Sequence, residues 1–170
     1  MTTATTTSTA RVYVGTYDKY NNGSIEGAWL DLDSYSDKDA FIEACQELHG
    51  PGEHEFMFQD FEGIPEGMVS ESHIDEEVWD WMDLGEEDKK LLFIYRAHID
   101  SKGTLEEAEE AYQGYARTAE EAVEEIFTNC YTIPKELENY IDWSRVVRDW
   151  ECDSYTFVQN NGQTFVFRAV

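Results

Sequence analysis

Apolar and polar residues alternate near both ends of this chain and recur at helical intervals between them, which predicts small sheets flanking a helical middle. From Arg11 to Tyr17, Val12 and Val14 alternate with Tyr13; Asn22-Gly23 follows, then Ile25 to Leu32 with Trp29. This predicts two antiparallel strands whose connection turns at Asn-Gly. Between Ser34 and Gly50 the period changes: Phe41, Ile42, Cys45 and Leu48 share one helical face, Ser36 or Asp37 can cap it, and Gly50-Pro51 stops it. Glu55 to Phe61 alternates again and predicts a third strand. Gly63, Pro65 and Gly67 then punctuate the chain.

Met68 to Ile99 reads as helical, with Ile74, Val78, Trp79 and Met82 on one face, then Leu91, Leu92, Tyr95 and Ile99 after Gly85. Thr104 with Glu107 and Thr118 with Glu121 have the spacing of capping boxes, so two helices start there. Ala108, Tyr112, Ala122, Val123, Ile126 and Phe127 are expected inside them. Pro134 suits a first helical position, and Asp142 can cap a helix with Trp143, Val146, Val147 and Trp150 inside. Tyr155–Gln159 and Gln163–Arg168 around Asn160-Asn161-Gly162 predict a closing hairpin.

The expected fold is α+β, an elongated chain of three small domains after a disordered leader over residues 1–10. Residues 11–63 form an N-terminal antiparallel sheet with a helix. Residues 64–103 form a small central helical bundle, and 104–170 form C-terminal helices with a β-hairpin. The 170 residues, 41% hydrophobic and 14% aromatic, suffice to bury real cores.

Charge changes the picture. The chain carries 37 Asp and Glu against 12 Lys and Arg, net −25. Between Asp18 and Asp88 alone, 22 acids face only Lys19 and Lys38. Like charges at such density destabilise a compact state, and solubility needs far fewer. The same stretch holds Trp29, Phe41, Phe58, Trp79 and Trp81, so it is a folded acidic surface, unlike a solvated tail. Phosphates and anionic membranes repel such a surface, which excludes direct nucleic-acid and membrane binding. No apolar run is long enough to span a bilayer, and a cytosolic protein is expected.

The acids expected outside are Asp31, Asp33, Asp37, Asp39, Glu43 and Glu47, then Glu62, Glu66 and Glu71. They continue with Asp75, Glu76, Glu77, Asp80 and Asp83, then Glu86, Glu87 and Asp88. The last groups are Glu106, Glu107, Glu109 and Glu110, and Glu120, Glu121, Glu124 and Glu125. Carboxylates three or four residues apart on a helix lie about 5–6 Å apart, close to the phosphate spacing along one DNA strand. Duplex DNA carries one charge per about 1.7 Å, so 25 charges match about 40 Å of duplex. Acidic chaperones and docking modules share this composition, and an acidic protein holding another basic protein is the alternative reading.

Other chemistry finds little support. The sequence has no CxxC or HExxH, no GxGxxG or GxxxxGK[ST], and no GxSxG. Asp31-Leu32-Asp33 starts like a calcium loop but lacks its Gly and closing Glu. Cys45, Cys130 and Cys152 read as buried reduced thiols. No catalytic residue, cofactor or metal is expected.

Three stretches carry a family resemblance. Val12-Tyr13-Val14-Gly15-Thr16-Tyr17-Asp18-Lys19-Tyr20-Asn21-Asn22-Gly23 with Gly27-Ala28-Trp29-Leu30, then Phe58-Gln59-Asp60-Phe61-Glu62-Gly63-Ile64-Pro65, and finally Leu137-Glu138-Asn139-Tyr140-Ile141-Asp142-Trp143 with Arg148-Asp149 resemble the ArdA antirestriction proteins in the same order. The resemblance implies a DNA mimic from plasmids and transposons that occupies the DNA groove of type I restriction-modification enzymes, on their specificity and methyltransferase subunits. It also implies a homodimer joined through the C-terminal domain, for which Tyr112 and Tyr115 are the interface candidates. The family's acidic antirestriction motif falls between Ala119 and Asp142.

Overall fold

The computed structural model describes residues 9–169. Among these residues it holds eight α-helices and three antiparallel sheets, the α+β class that the sequence predicts. The expected leader lies outside the described residues as far as Ser8. Ala10 is buried, and its carbonyl accepts the Leu32 N–H at 2.8 Å. The described chain forms two compact units, one ending at Lys102 and one beginning at Gly103.

In the first unit a three-stranded sheet has the order β2-β1-β3, from β1 (Arg11–Thr16), β2 (Ala28–Asp31) and β3 (Phe56–Glu62). Val12 pairs with Leu30 and Tyr13 with Trp29, so the two predicted strands do pair. Their connection is more than an Asn-Gly turn, because helix α1 (Tyr17–Asn21) fills it. The Thr16 hydroxyl accepts from the Lys19 N–H at 3.3 Å and so caps a single helical turn, which alternation alone does not reveal.

Helix α2 (Lys38–His49) starts at Asp37, whose carboxylate accepts the Ala40 N–H at 2.9 Å; the rival cap, Ser36, donates to Asp37 instead. The helix puts Phe41 and Cys45, both fully buried, on the core side. The Phe41 ring lies 5.7 Å from Tyr35, 5.9 Å from Phe58 and 6.1 Å from Trp79, so one aromatic cluster joins α2, β3 and the segment beyond. Burial in this cluster pushes the Cys45 thiol up to about 12. Cys130 and Cys152 are exposed, which corrects the expectation of three buried thiols.

The predicted helix from Met68 is also corrected. Val69–Ser70 (β4) and His73–Ile74 (β5) form a two-stranded ladder, and the helices begin later as α3 (Glu77–Met82) and α4 (Glu86–His98). Ile74, read as the start of a helical face, is 1% exposed at the ladder's end. The Phe58 N–H donates to the Glu71 carbonyl at 2.7 Å, so β3 fixes the turn between the two short strands, a tertiary cause that periodicity cannot register. Trp79 packs on Phe41 as above, and its indole N–H donates to the Tyr35 carbonyl at 3.0 Å. Ile99, expected inside, is exposed just past the end of α4.

The second unit holds α5 (Leu105–Ala111), β6 (Tyr112–Ala116), α6 (Ala119–Cys130), α7 (Lys135–Glu138), α8 (Trp143–Asp153), β7 (Tyr155–Asn160) and β8 (Gln163–Arg168). Its sheet has the order β6-β8-β7 and buries Phe165, Val166 and Phe167. The predicted hairpin forms: Asn160 pairs with Gln163, and Asn161 and Gly162 turn the chain with φ of 49° and 77°. A two-residue turn of this hand needs positive φ at both positions, which Asn and Gly tolerate best. Strand β6 departs from the sequence reading, which put Tyr112 inside a helix. It is short, broken by Gly114, and pairs with residues about fifty positions away, from Thr164 to Phe167.

Both capping hydroxyls work, in different ways. Thr104 and Glu107 close a full box, with N–H to oxygen distances of 3.2 and 2.8 Å. Thr118 accepts from the Glu121 N–H, but the Glu121 carboxylate turns to Arg117 at 2.5 Å. Pro134 sits one residue before α7 instead of inside it, and Asp142 caps α8 through the Arg145 N–H at 3.1 Å.

Candidate functional site

The feature that folding leaves unexplained is the carboxylate surface. A helix that must bury one stripe has its opposite stripe free, and α2 to α6 put acids there. On α2 the row is Asp39, Glu43 and Glu47, at successive four-residue steps of about 6 Å rise. Glu76, Asp80 and Asp83 follow at steps of four and three residues along α3 and its caps, with Glu86, Glu87 and Asp88 in the first turn of α4. In the second unit Glu106, Glu109 and Glu110 line α5, and Glu120, Glu121, Glu124 and Glu125 line α6. Asp31, Asp33, Glu66 and Glu71 lie on the loops and short strands between these elements. Of all the predicted surface acids only Glu62, Asp75, Asp88 and Glu121 are half-buried; the others are exposed.

Ion pairing neutralises little of this surface. Among the described residues the ion pairs include Arg11–Glu62 at 2.6 Å, Lys19–Glu26 at 3.5 Å, Lys89–Glu86 at 3.4 Å, Arg96–Glu77 at 2.8 Å and Arg117–Glu121 at 2.5 Å. Most of the 37 carboxylates thus face solvent without a described cation beside them. Like charges four residues apart on a helix are destabilising, so these rows work against the fold that carries them.

The structure separates acids that hold the fold from acids that only face outward, a division invisible in the sequence. Backbone hydrogen bonds from the first turn of α2, Ala40 first, hold the Asp37 carboxyl below the ordinary aspartate range. Its contribution to stability is therefore present above the unfolded-state value and is lost as pH falls through the folded one. The Arg117 guanidinium does the same for Glu121. Glu107 closes its capping box, Asp75 accepts the Glu77 N–H at 3.2 Å, and Glu77 reaches Arg96, which is only 5% exposed. Glu77 is thus partly a structural residue, a role its place in an acidic run conceals.

The interface candidates differ from each other. Tyr112 is half-buried, its ring 5.8 Å from Phe167 and 6.3 Å from Phe165. Tyr115 is 51% exposed and stacks on Phe165 at 5.6 Å. Sequence reasoning missed a more exposed apolar group between α6 and α8: Tyr131, Leu137 and Tyr140, the last 84% exposed. Irregular backbone around the four-residue α7 gave no periodic signal for it.

The family model of the antirestriction protein ArdA matches residues 12–165, from the second residue of β1 into β8. The chain belongs to the ArdA family. No curated protein matches it by sequence. The ArdA match covers every acidic row described above, so the carboxylate surface lies within the family's own span.

Proposed function

We propose that this chain inhibits type I restriction-modification enzymes by lying in their DNA-binding groove, its carboxylates standing where DNA phosphates would. Membership of an antirestriction family supports the activity. The observation that carries the mechanism is the set of exposed acid rows with helical spacing and few partnering cations. A groove built for phosphates is lined with Lys and Arg, and it releases counterions when any polyanion of matching length enters. Binding there excludes DNA from the specificity and methyltransferase subunits alike, so modification is blocked with restriction. The chain acts where that enzyme acts, in the cytoplasm, as an inhibitor with no chemistry of its own.

Expression in cells carrying a type I system is expected to let unmodified phage plate at far higher efficiency. Unchanged plating would contradict the reading and favour an acidic protein that holds some other basic protein. We also propose that the chain acts as a homodimer through its second unit, with Tyr112 and Tyr115 as the candidate contacts. A dimer doubles the matched length to about 80 Å. Its solution mass at micromolar concentration should then be twice 19.7 kDa, and a monomer mass would refute it.

A further inference from the structure

The end of α2 holds a side chain that antirestriction does not use. His49 is half-buried, its Nδ1 and Nε2 are both shielded from solvent, and the hydrogen-bonding group that faces the ring is the Val14 carbonyl, which can serve at most one of the two nitrogens. Buried polar atoms are almost always satisfied, so an imidazole with at least one shielded nitrogen left unpaired calls for an explanation. Its ring lies 6.0 Å from His54 and 6.1 Å from Phe56, and those two lie 6.4 Å apart. The charged groups that face it come from other elements. Lys19 belongs to α1, and Glu26 precedes β2 and pairs with that lysine at 3.5 Å; β1 contributes only the Val14 carbonyl.

The connection after His49 is held by a few bonds. The Gln46 amide donates to the carbonyls of Gly50 and Gly52, each at 2.8 Å, and His54 Nε2 lies 3.1 Å from the Gly50 carbonyl. Gly50 and Gly52 adopt φ of 83° and 127°, open backbone without side chains to pack. The Tyr17 N–H ties the far end to the Glu55 carbonyl at 3.0 Å.

We propose that His49 and the connection from Gly50 to Glu55 form an acid-sensitive latch on the first unit, in which protonation of His49 expels its ring and releases that connection from α1. An imidazolium in this site would carry two N–H donors and no acceptor, beside the Lys19 ammonium. Burial, then Lys19 and to a smaller degree His54, hold the His49 pKa below the ordinary imidazole value, partly offset by the Val14 carbonyl and Glu26. The folded site therefore binds its proton less readily than the unfolded chain. Stability from His49 is complete above the ordinary value and is lost as pH falls below it.

The test is NMR of the full chain between pH 7.5 and 5.5, following the His49 ring and amide exchange over residues 46–56. The latch predicts that His49 titrates below an ordinary imidazole. Exchange of the 50–55 amides, corrected for its intrinsic pH dependence, should rise several-fold in the same window, while β1 stays protected. In His49→Phe the rise should vanish. Should that variant fail to fold, Lys19→Gln provides a second reading, moving both the titration and the rise to higher pH. A His49 that titrates at or above the ordinary value, or a connection equally protected before and after His49 protonates, would overturn the proposal.

Discussion

Replacing Asp39, Glu43, Glu47, Asp80, Asp83, Glu87, Glu124 and Glu125 together by their amides is expected to weaken inhibition of restriction by about a hundredfold, while each replacement alone costs less than about twofold. An exposed ion pair is worth about 0.2–1 kcal/mol, so one contact is nearly silent and eight sum to a few kcal/mol. The set avoids Asp37 and Glu107, whose carboxylates hold caps, and Glu77 and Glu121, which pair with arginines. Because the chosen acids repel one another along α2, α3 and α6, the eightfold variant should melt no lower than the parent chain, and somewhat higher at low salt. Function would then fall as stability holds or rises. Loss of inhibition accompanied by unfolding, or abolished by any one of the eight, would sink the distributed-charge account. Titration of restriction activity beside thermal melts at two salt concentrations reads both outcomes.

Phe41→Ala should have the largest effect on the fold. The side chain is fully buried between Tyr35, Phe58 and Trp79. Truncating a core phenylalanine costs about 3–5 kcal/mol. That is a large part of the roughly 5–15 kcal/mol a domain has in total, and self-repulsion puts this chain toward the low end. The expected result is a melting temperature lower by about 15–30 °C in a unit of this size. A Phe41→Leu variant should keep most of the stability, since the site stays filled. A drop of only a few degrees for Phe41→Ala would mean that α2 is not seated on this cluster.

Signals that act over a few residues were legible in the sequence. The Thr104 box, the Asp142 cap, the stop at Gly50 and the Asn161-Gly162 turn each depend on chemistry within four positions, and each forms. What the sequence misreported depends on partners far away. The ladder of Val69–Ser70 with His73–Ile74 is fixed by β3, and β6 exists because β8 offers Phe165 to Phe167 as its neighbours. Helix α1 hid inside a connection because a single capped turn is too short to show a period. At the candidate site the spacing of the acids is silent about role. Nothing in the spacing of Glu77 tells that its partner, Arg96, is buried nineteen residues on, and nothing around His49 tells that its nitrogens are shielded from solvent.

The most direct measurement of the central claim is competition on a purified type I methyltransferase core, with a labelled duplex displaced by this chain across a range of salt concentrations. Occupation of the DNA groove predicts stoichiometric displacement whose affinity falls steeply and log-linearly with salt, as for a polyanion that neutralises many basic residues at once. A duplex that stays bound at low salt under excess chain would contradict it.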